Sequence, residues 1–346
     1  MRIDDPSDVA AGVTEWVRAN VEGAANAAFT GPLEAPSAGM STFIWFGQLD
    51  GLDASAARWR DPLALRMFPS PSDVGVAELE GSILDFVAGH GYPAPRPLAS
   101  VTAPAASAFP TPWLVLPRVS GQPMLNATTA NPLSARRLID DLARLQFELH
   151  GIDIAGCPAP YSAPLIDQWF ARYEQQIRAL ADPRANRVLD ALHTGQRFVA
   201  DEVPVICHGD FHPLNILSSR DGDRWTHAVI DWTDAMIGDR HYDVARTIAL
   251  FGLASLAVSN PLERTAARLL GPYAARDYRK AYGRRAALDQ RRLDYWTIAH
   301  LVRGWAQVRR LDQPADARTA AATQVSPKVA DTMLRRAERL VSATID

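Results

Sequence analysis

The stretch His208-Gly-Asp-Phe-His-Pro-Leu-Asn215, followed by Ile230-Asp-Trp232, decides the reading of this chain. Val203 to Cys207 is an apolar run of strand length, and Gly209 permits a sharp turn at its end. Asp210 is therefore expected on a loop held at a strand mouth. Beyond Asn215, Ile216 and Leu217 read as strand, Ser219 to Arg224 as turn, and Trp225 to Ile230 as the returning strand. Asn215 and Asp231 lie symmetrically about Asp223, so a hairpin closed there would set them side by side at its open end, next to Asp210. A carboxylate and an amide oxygen in that position suit one hard cation.

Phosphoryl transfer needs this inventory. A carboxylate orients and deprotonates the acceptor hydroxyl, while oxygen ligands hold the metal that neutralises charge on the phosphates. Kinase signatures place the base and a metal-binding Asn on one loop, with a second metal-binding Asp further on. The bland alternative is a strand-end turn with an Asx-capped loop. His208 and His212 read as residues that fix the loop, and alternation on the strand turns Cys207 into the core rather than making it a nucleophile.

Outward from this segment, the chain divides by character. Asp8 to Val21 has helical spacing, with Val9, Val13, Trp16 and Val17 on one side. Thr42 to Leu49 and Leu63 to Phe68 read as two strands joined by a loop. Asp73 to His90 reads as a helix, and Pro95 to Val101 and Trp113 to Val119 as two further short strands. Helices are expected from Pro132 to His150, from Pro164 to Leu192, and through most of 240 to 343. The expected architecture is α+β in two lobes. Residues 1–120 form a small strand-rich lobe with a leading helix in 1–30, and residues 121–346 form a larger, mainly helical lobe.

Composition narrows the function classes. The 346 residues suffice for two cores, and 47% hydrophobic with 22% charged residues is a soluble globular profile. A net charge of −3 gives no electrostatic case for nucleic acid or an anionic membrane. Met1 to Asp8 carries no apolar core of a signal peptide, and the longest apolar run, Ile248 to Val258, reads as a buried helix too short to span a bilayer. Cys157 and Cys207 form neither a disulfide framework nor a metal site, and a reducing cytoplasm is the expected location. Only Lys280 and Lys328 are lysines, so a phosphate contact from the N-terminal half must use arginine or backbone.

His208 to Asn215, then Val229-Ile-Asp-Trp-Thr-Asp-Ala235, then Gly238-Asp-Arg-His-Tyr-Asp-Val-Ala245 together resemble the aminoglycoside phosphotransferase superfamily, which includes macrolide and choline kinases. The resemblance runs, more weakly, from about Gly31 to about Arg310, and implies a protein-kinase-like fold with the nucleotide in a cleft. It implies Asp210 as catalytic base, Asn215 and Asp231 as ligands of Mg2+, and Asp243 as a buttress of the catalytic loop. Ser37-Ala-Gly-Met-Ser41 looks like the nucleotide-covering loop, which puts Gly39 and Ser41 at the nucleotide. Arg66 occupies the strand position of the phosphate-contacting lysine of protein kinases, and Glu80 falls where its partner acid belongs. Leu116 to Gly121 resembles the hinge beside the base.

The co-substrate implied is ATP or GTP, and the partner a small hydroxylated acceptor. Acceptor selectivity is expected on the C-terminal helices and in 155–182, where no pattern names a ligand. Trp169, Phe170 and Tyr173 could line an acceptor pocket or serve as core. Asp234 and Asp239 could bind a cationic acceptor or act as turn and helix caps. Arg66 and Glu80 have an ordinary surface ion pair as their alternative. The rival readings of function are a catalytically silent nucleotide-binding module and a housekeeping kinase of a sugar or amino alcohol.

Overall fold

The computed structural model describes residues 1–35, 43–102, 108–130, 134–222, 224–253, 261–311 and 327–345. Along the first part of the chain run α1 (Pro6–Asn20), β1 (Ala28–Phe29), β2 (Phe43–Gly47), β3 (Leu49–Asp50), β4 (Leu63–Met67), α2 (Val74–Gly89), β5 (Ala99–Val101), β6 (Trp113–Pro117) and β7 (Gln122–Pro123). The second part holds α3 (Met124–Ala130), α4 (Ala135–His150), α5 (Leu165–Arg178), α6 (Pro183–Gly195), β8 (Pro204–Cys207), β9 (Ile216–Asp221), β10 (Arg224–Val229) and β11 (Met236–Asp239). It ends in α7 (Arg240–Leu253), α8 (Pro261–Gly283), α9 (Gln290–Leu311) and α10 (Pro327–Thr344).

The chain forms two compact units. The first comprises Met1–Pro123 and Ile216–Thr233, the second Met124–Asn215 and Asp234–Asp346. The sequence suggests a single cut near residue 120, but the β9–β10 hairpin groups with the N-terminal unit. β7 pairs with β9, Gln122 opposite Ser218, and Val229 N donates to Pro93 O at 2.7 Å. Gly121 makes that pairing possible. Its φ is 127°, and a Cβ there would stand 2.7 Å from Ser218 O, so only glycine fits.

In the first unit, Asp5 caps α1 by accepting from Ser7 N at 2.9 Å, and Pro6 opens the helix with its φ already set. Val9, Val13 and Val17 recur every fourth residue and are fully buried, each burial contributing roughly 1.5–3 kcal/mol. They pack with Leu63, Leu65, Met67, Trp113 and Val115 into one core cluster. β2, β4, β6 and β5 form an antiparallel sheet in that order. The alternation of β4 sends Leu63, Leu65 and Met67 into this core, and Arg66 to the opposite face.

The second unit is dominated by helices, with β8 and β11 as its own antiparallel pair. The helical stretch expected over residues 164–192 consists of two helices, α5 and α6. Ala181 takes φ 53°, Asp182 accepts from Arg184 N at 2.8 Å, and Pro183 starts α6. None of the described helices is long and apolar enough to cross a membrane. The run Ile248 to Val258 ends α7 at Leu253, and its remainder lies outside the described residues.

Candidate active site

The loop after β8 is shaped by one buried carboxylate. Asp243, near the start of α7, accepts from His208 N at 3.1 Å and from Gly209 N at 2.8 Å, and is 0% exposed. Gly209 has φ 79°, and a Cβ on it would lie 2.1 Å from Asp234 O. The turn therefore requires glycine. Burial works to raise the Asp243 carboxyl, yet His150, 3.2 Å away, and His208 outweigh it and hold it below its ordinary value. The loop is thus pinned by an ionised acid. Thr247, one turn further along α7, donates to Phe211 O at 2.6 Å.

Asp210 projects from this frame with its side chain 28% exposed. Arg246 grips Oδ1 through Nε at 3.0 Å and a terminal nitrogen at 2.9 Å, and His212 Nε2 stands 3.2 Å from Oδ2. Burial would raise this carboxyl, but the hydrogen bond from His212 and the Arg246 guanidinium hold it well below the usual carboxylate range. Asn215 donates its amide nitrogen to Asp210 O at 3.0 Å, and its backbone N to His212 O at 2.9 Å. The amide oxygen of Asn215 remains as an acceptor. Asp210 and Asn215 are brought together by this turn.

The first unit carries a separate charged cluster. Arg66 on β4 meets Glu80 on α2 at 3.3 Å and Asp231 after β10 at 3.0 Å. Thr233 accepts from Arg66 at 2.6 Å, and its hydroxyl lies 2.9 Å from Asp231 Oδ1 and 3.3 Å from Glu80 Oε2. Arg66 and Glu80 are nearly fully buried, so this is no surface ion pair, whereas Asp231 keeps 37% of its side chain exposed. Burial pushes the Glu80 carboxyl up to about 7, against the pull of Arg66. Asp231 adopts φ 64°, a left-handed conformation that costs a non-glycine residue energy and that the surrounding bonds must enforce.

The hairpin differs in detail from the sequence reading. β9 and β10 pair with Ile216 opposite Val229 and Asp221 opposite Arg224, so the strands run on through polar residues as far as Asp221 and Arg224. The centre of that register falls between positions 222 and 223, and residue 231 is not the cross-strand partner of residue 215. Asn215 leaves the hairpin and is tied to Asp210, while Asp231 is tied to Arg66. Gly39, Ser41 and Asp223 lie outside the described residues.

Other candidates resolve into structure. Cys207 is fully buried, and burial pushes its thiol well up. Trp169 and Phe170 are buried on α5, and Tyr173, also largely buried there, lines a cavity. Asp239 caps α7 by accepting from His241 N at 2.9 Å, and also accepts from Trp296 at 3.1 Å. Asp234 pairs with Arg303 at 2.7 Å and Arg172 at 3.6 Å. Arg246 and Thr247 lie beyond the quoted motifs, and Thr233 lies within one but is given no role by it. For the first two a signal exists, since residues three and four after Asp243 share its helix face.

The phosphotransferase enzyme family model matches residues 51–288, more than half of the chain. No curated protein matches it. Among solved structures, a choline/ethanolamine kinase family protein from Mesorhizobium loti is 18% identical with a TM-score of 0.59, covering 98% of this chain and 95% of that one. A thermostable mutant of the aminoglycoside phosphotransferase APH(4)-Ia, in ternary complex with ADP and hygromycin B, is 16% identical with a TM-score of 0.59, covering 89% and 95%. The GDP and kanamycin complex of APH(2")-IIIa is 17% identical with a TM-score of 0.59, covering 94% and 98%. These likenesses show a kinase-like α+β fold, and with the family match over 51–288 the chain belongs to the phosphotransferase enzyme family, whose members transfer phosphate to an alcohol hydroxyl.

Proposed function

We propose that the protein is a kinase that moves the γ-phosphate of ATP or GTP onto a hydroxyl of a small molecule, with Asp210 as the group that receives the hydroxyl. The observation that carries this reading is the holding of Asp210: its loop is pinned by Asp243, and its oxygens are oriented by Arg246 and His212. A carboxylate held so far below its ordinary range is a weak base at neutral pH. That suffices for phosphoryl transfer, whose loose transition state asks little nucleophilic push and lets the hydroxyl proton leave late. Asp210 then contributes mainly by fixing the hydroxyl's direction before it accepts the proton.

Asn215 and Asp231 fit Mg2+. Asn215 has its nitrogen committed to Asp210 O, Asp231 is a part-exposed carboxylate whose Oδ1 is engaged by Arg66 and Thr233, and among the described residues one oxygen on each is left to offer. Both offer the hard oxygen that this cation takes. When bound, it would neutralise charge on the nucleotide's phosphates. Arg66, with Glu80 orienting its forked donors, is assigned to the same phosphates in place of a lysine. Gly39 and Ser41 are assigned to covering them. The relatives solved with ADP or GDP support a nucleotide co-substrate. Asp231→Ala is expected to abolish the tightening of nucleotide binding by magnesium. Calorimetric titration with and without magnesium tests it, and a full magnesium effect in the variant would remove Asp231 from the metal's ligands.

A further inference from the structure

The second unit contains a cavity of about 280 Å3 between α5 and α9. Arg172, Tyr173 and Gln176 line it from α5, Asp234 from the loop before β11, and Arg303 and Arg310 from α9. It adjoins the Asp210 loop, because Asp234 O packs against Gly209, the residue before Asp210. Arg303 donates to Asp234 at 2.7 Å and to Tyr242 Oη at 3.2 Å, and Arg310 donates to Gln176 at 2.6 Å. Asp234 offsets one guanidinium and leaves two positive charges that do not titrate near neutral pH.

The wall is also rich in donors and poor in acceptors. Tyr173 is 9% exposed and Arg303 4% exposed, and among the described residues neither the Tyr173 hydroxyl nor Arg303 Nε has a hydrogen-bond partner. Arg172 and Arg303 stand 5.3 and 4.9 Å from the centre of the Tyr173 ring. Buried donors left without acceptors destabilise a fold unless a ligand supplies what they lack. An ammonium-bearing molecule supplies none and meets like charge. A carboxylate or phosphate ester supplies both acceptors and opposite charge.

We infer that the acceptor of this enzyme is a compact hydroxylated molecule bearing an anionic group, which Arg172, Arg303, Arg310 and Tyr173 bind while its hydroxyl is presented to Asp210. This rests on the kinase reading of Asp210. The volume, just under the usual range of drug-sized ligand sites, favours a molecule smaller than an oligosaccharide antibiotic.

The test uses the full chain with ADP and magnesium present at saturation, so that phosphate subsites are filled. D-gluconate and glycerol 3-phosphate are titrated against their neutral counterparts sorbitol and glycerol, and against kanamycin. The same set is run on Arg172→Glu/Arg310→Glu, two exposed positions whose reversal takes the cavity from two net positive charges to two negative. The anions are expected to bind at least about tenfold tighter than the neutral molecules, with the preference lost in the double variant at unchanged ADP affinity. Equal or absent binding of anion and neutral, tighter binding of kanamycin, or an anion preference that survives the double substitution would overturn the inference. Transfer assays with ATP and GTP separate the two readings. Efficient transfer to kanamycin alone overturns the anionic acceptor and leaves the kinase standing, whereas anion binding without transfer to any hydroxyl overturns the kinase reading.

Discussion

Replacing Arg66 by Ala leaves two carboxylates, Glu80 and Asp231, without the guanidinium that pairs with both. Glu80 is 1% exposed and cannot turn to water. In the wild type its carboxyl sits at about 7, above the ordinary 4.5, because burial outweighs Arg66. The folded state thus binds this proton more tightly than the unfolded chain, so stability falls as pH rises from about 4.5 and levels off above about 7. Without Arg66 the folded value moves higher still, and the fall continues where the wild type is flat. One proton of difference changes stability by roughly 1.4 kcal/mol per pH unit, so between pH 7 and 9 the gap between variant and wild type should widen by roughly 1–3 kcal/mol. Urea unfolding at pH 6, 7, 8 and 9 measures it. Arg66→Ala/Glu80→Gln, with no proton to lose, should show no such slope. A gap that stays constant with pH, or a slope that survives in the double variant, would refute the claim that Arg66 holds the Glu80 carboxyl down against its burial.

Arg246→Gln should let the Asp210 carboxyl rise toward its ordinary value, since the guanidinium is among the groups holding it down. The variant's kcat/KM should then drop more steeply than the wild type's as pH falls from 5 toward 3, and superimposable profiles would show that Arg246 does not set this ionisation. Asp243→Ala removes the acceptor of two buried backbone N–H groups and the partner of His150. Thermal unfolding should report a loss of about 2–4 kcal/mol, and a variant of wild-type stability would mean that the loop is held otherwise.

The geometry of the candidate site is legible in the sequence where it is local. A strand end, a glycine and an acid in succession place Asp210, and the alternation of β4 places Arg66 on the face that meets Glu80. Pairing between distant segments was not legible. Nothing in Gln122-Pro123 announces β7, yet its bonds to β9 draw the hairpin into the first unit. Polar Ser219 to Asp221 point to a turn, yet they belong to β9, because a strand with one open face tolerates polar residues there. The break between α5 and α6 is written in the sequence as Asp182-Pro183, a cap followed by an N1 proline. Asn215 and Asp231 were set opposite each other by counting, and counting cannot fix a register to one residue. Arg246 stands outside the motif because its role depends on the fold of α7 rather than on a spacing from Asp210.

The most direct test of the account is phosphate transfer by wild type and Asp210→Asn, using nucleotide labelled at the γ-phosphate and a panel of sugars, amino alcohols, hydroxy acids, sugar phosphates and aminoglycosides. The wild type should label at least one alcohol in the presence of magnesium, and the variant should do so at least about a hundredfold more slowly with nearly unchanged nucleotide affinity. Transfer by Asp210→Asn at the wild-type rate would contradict the central claim.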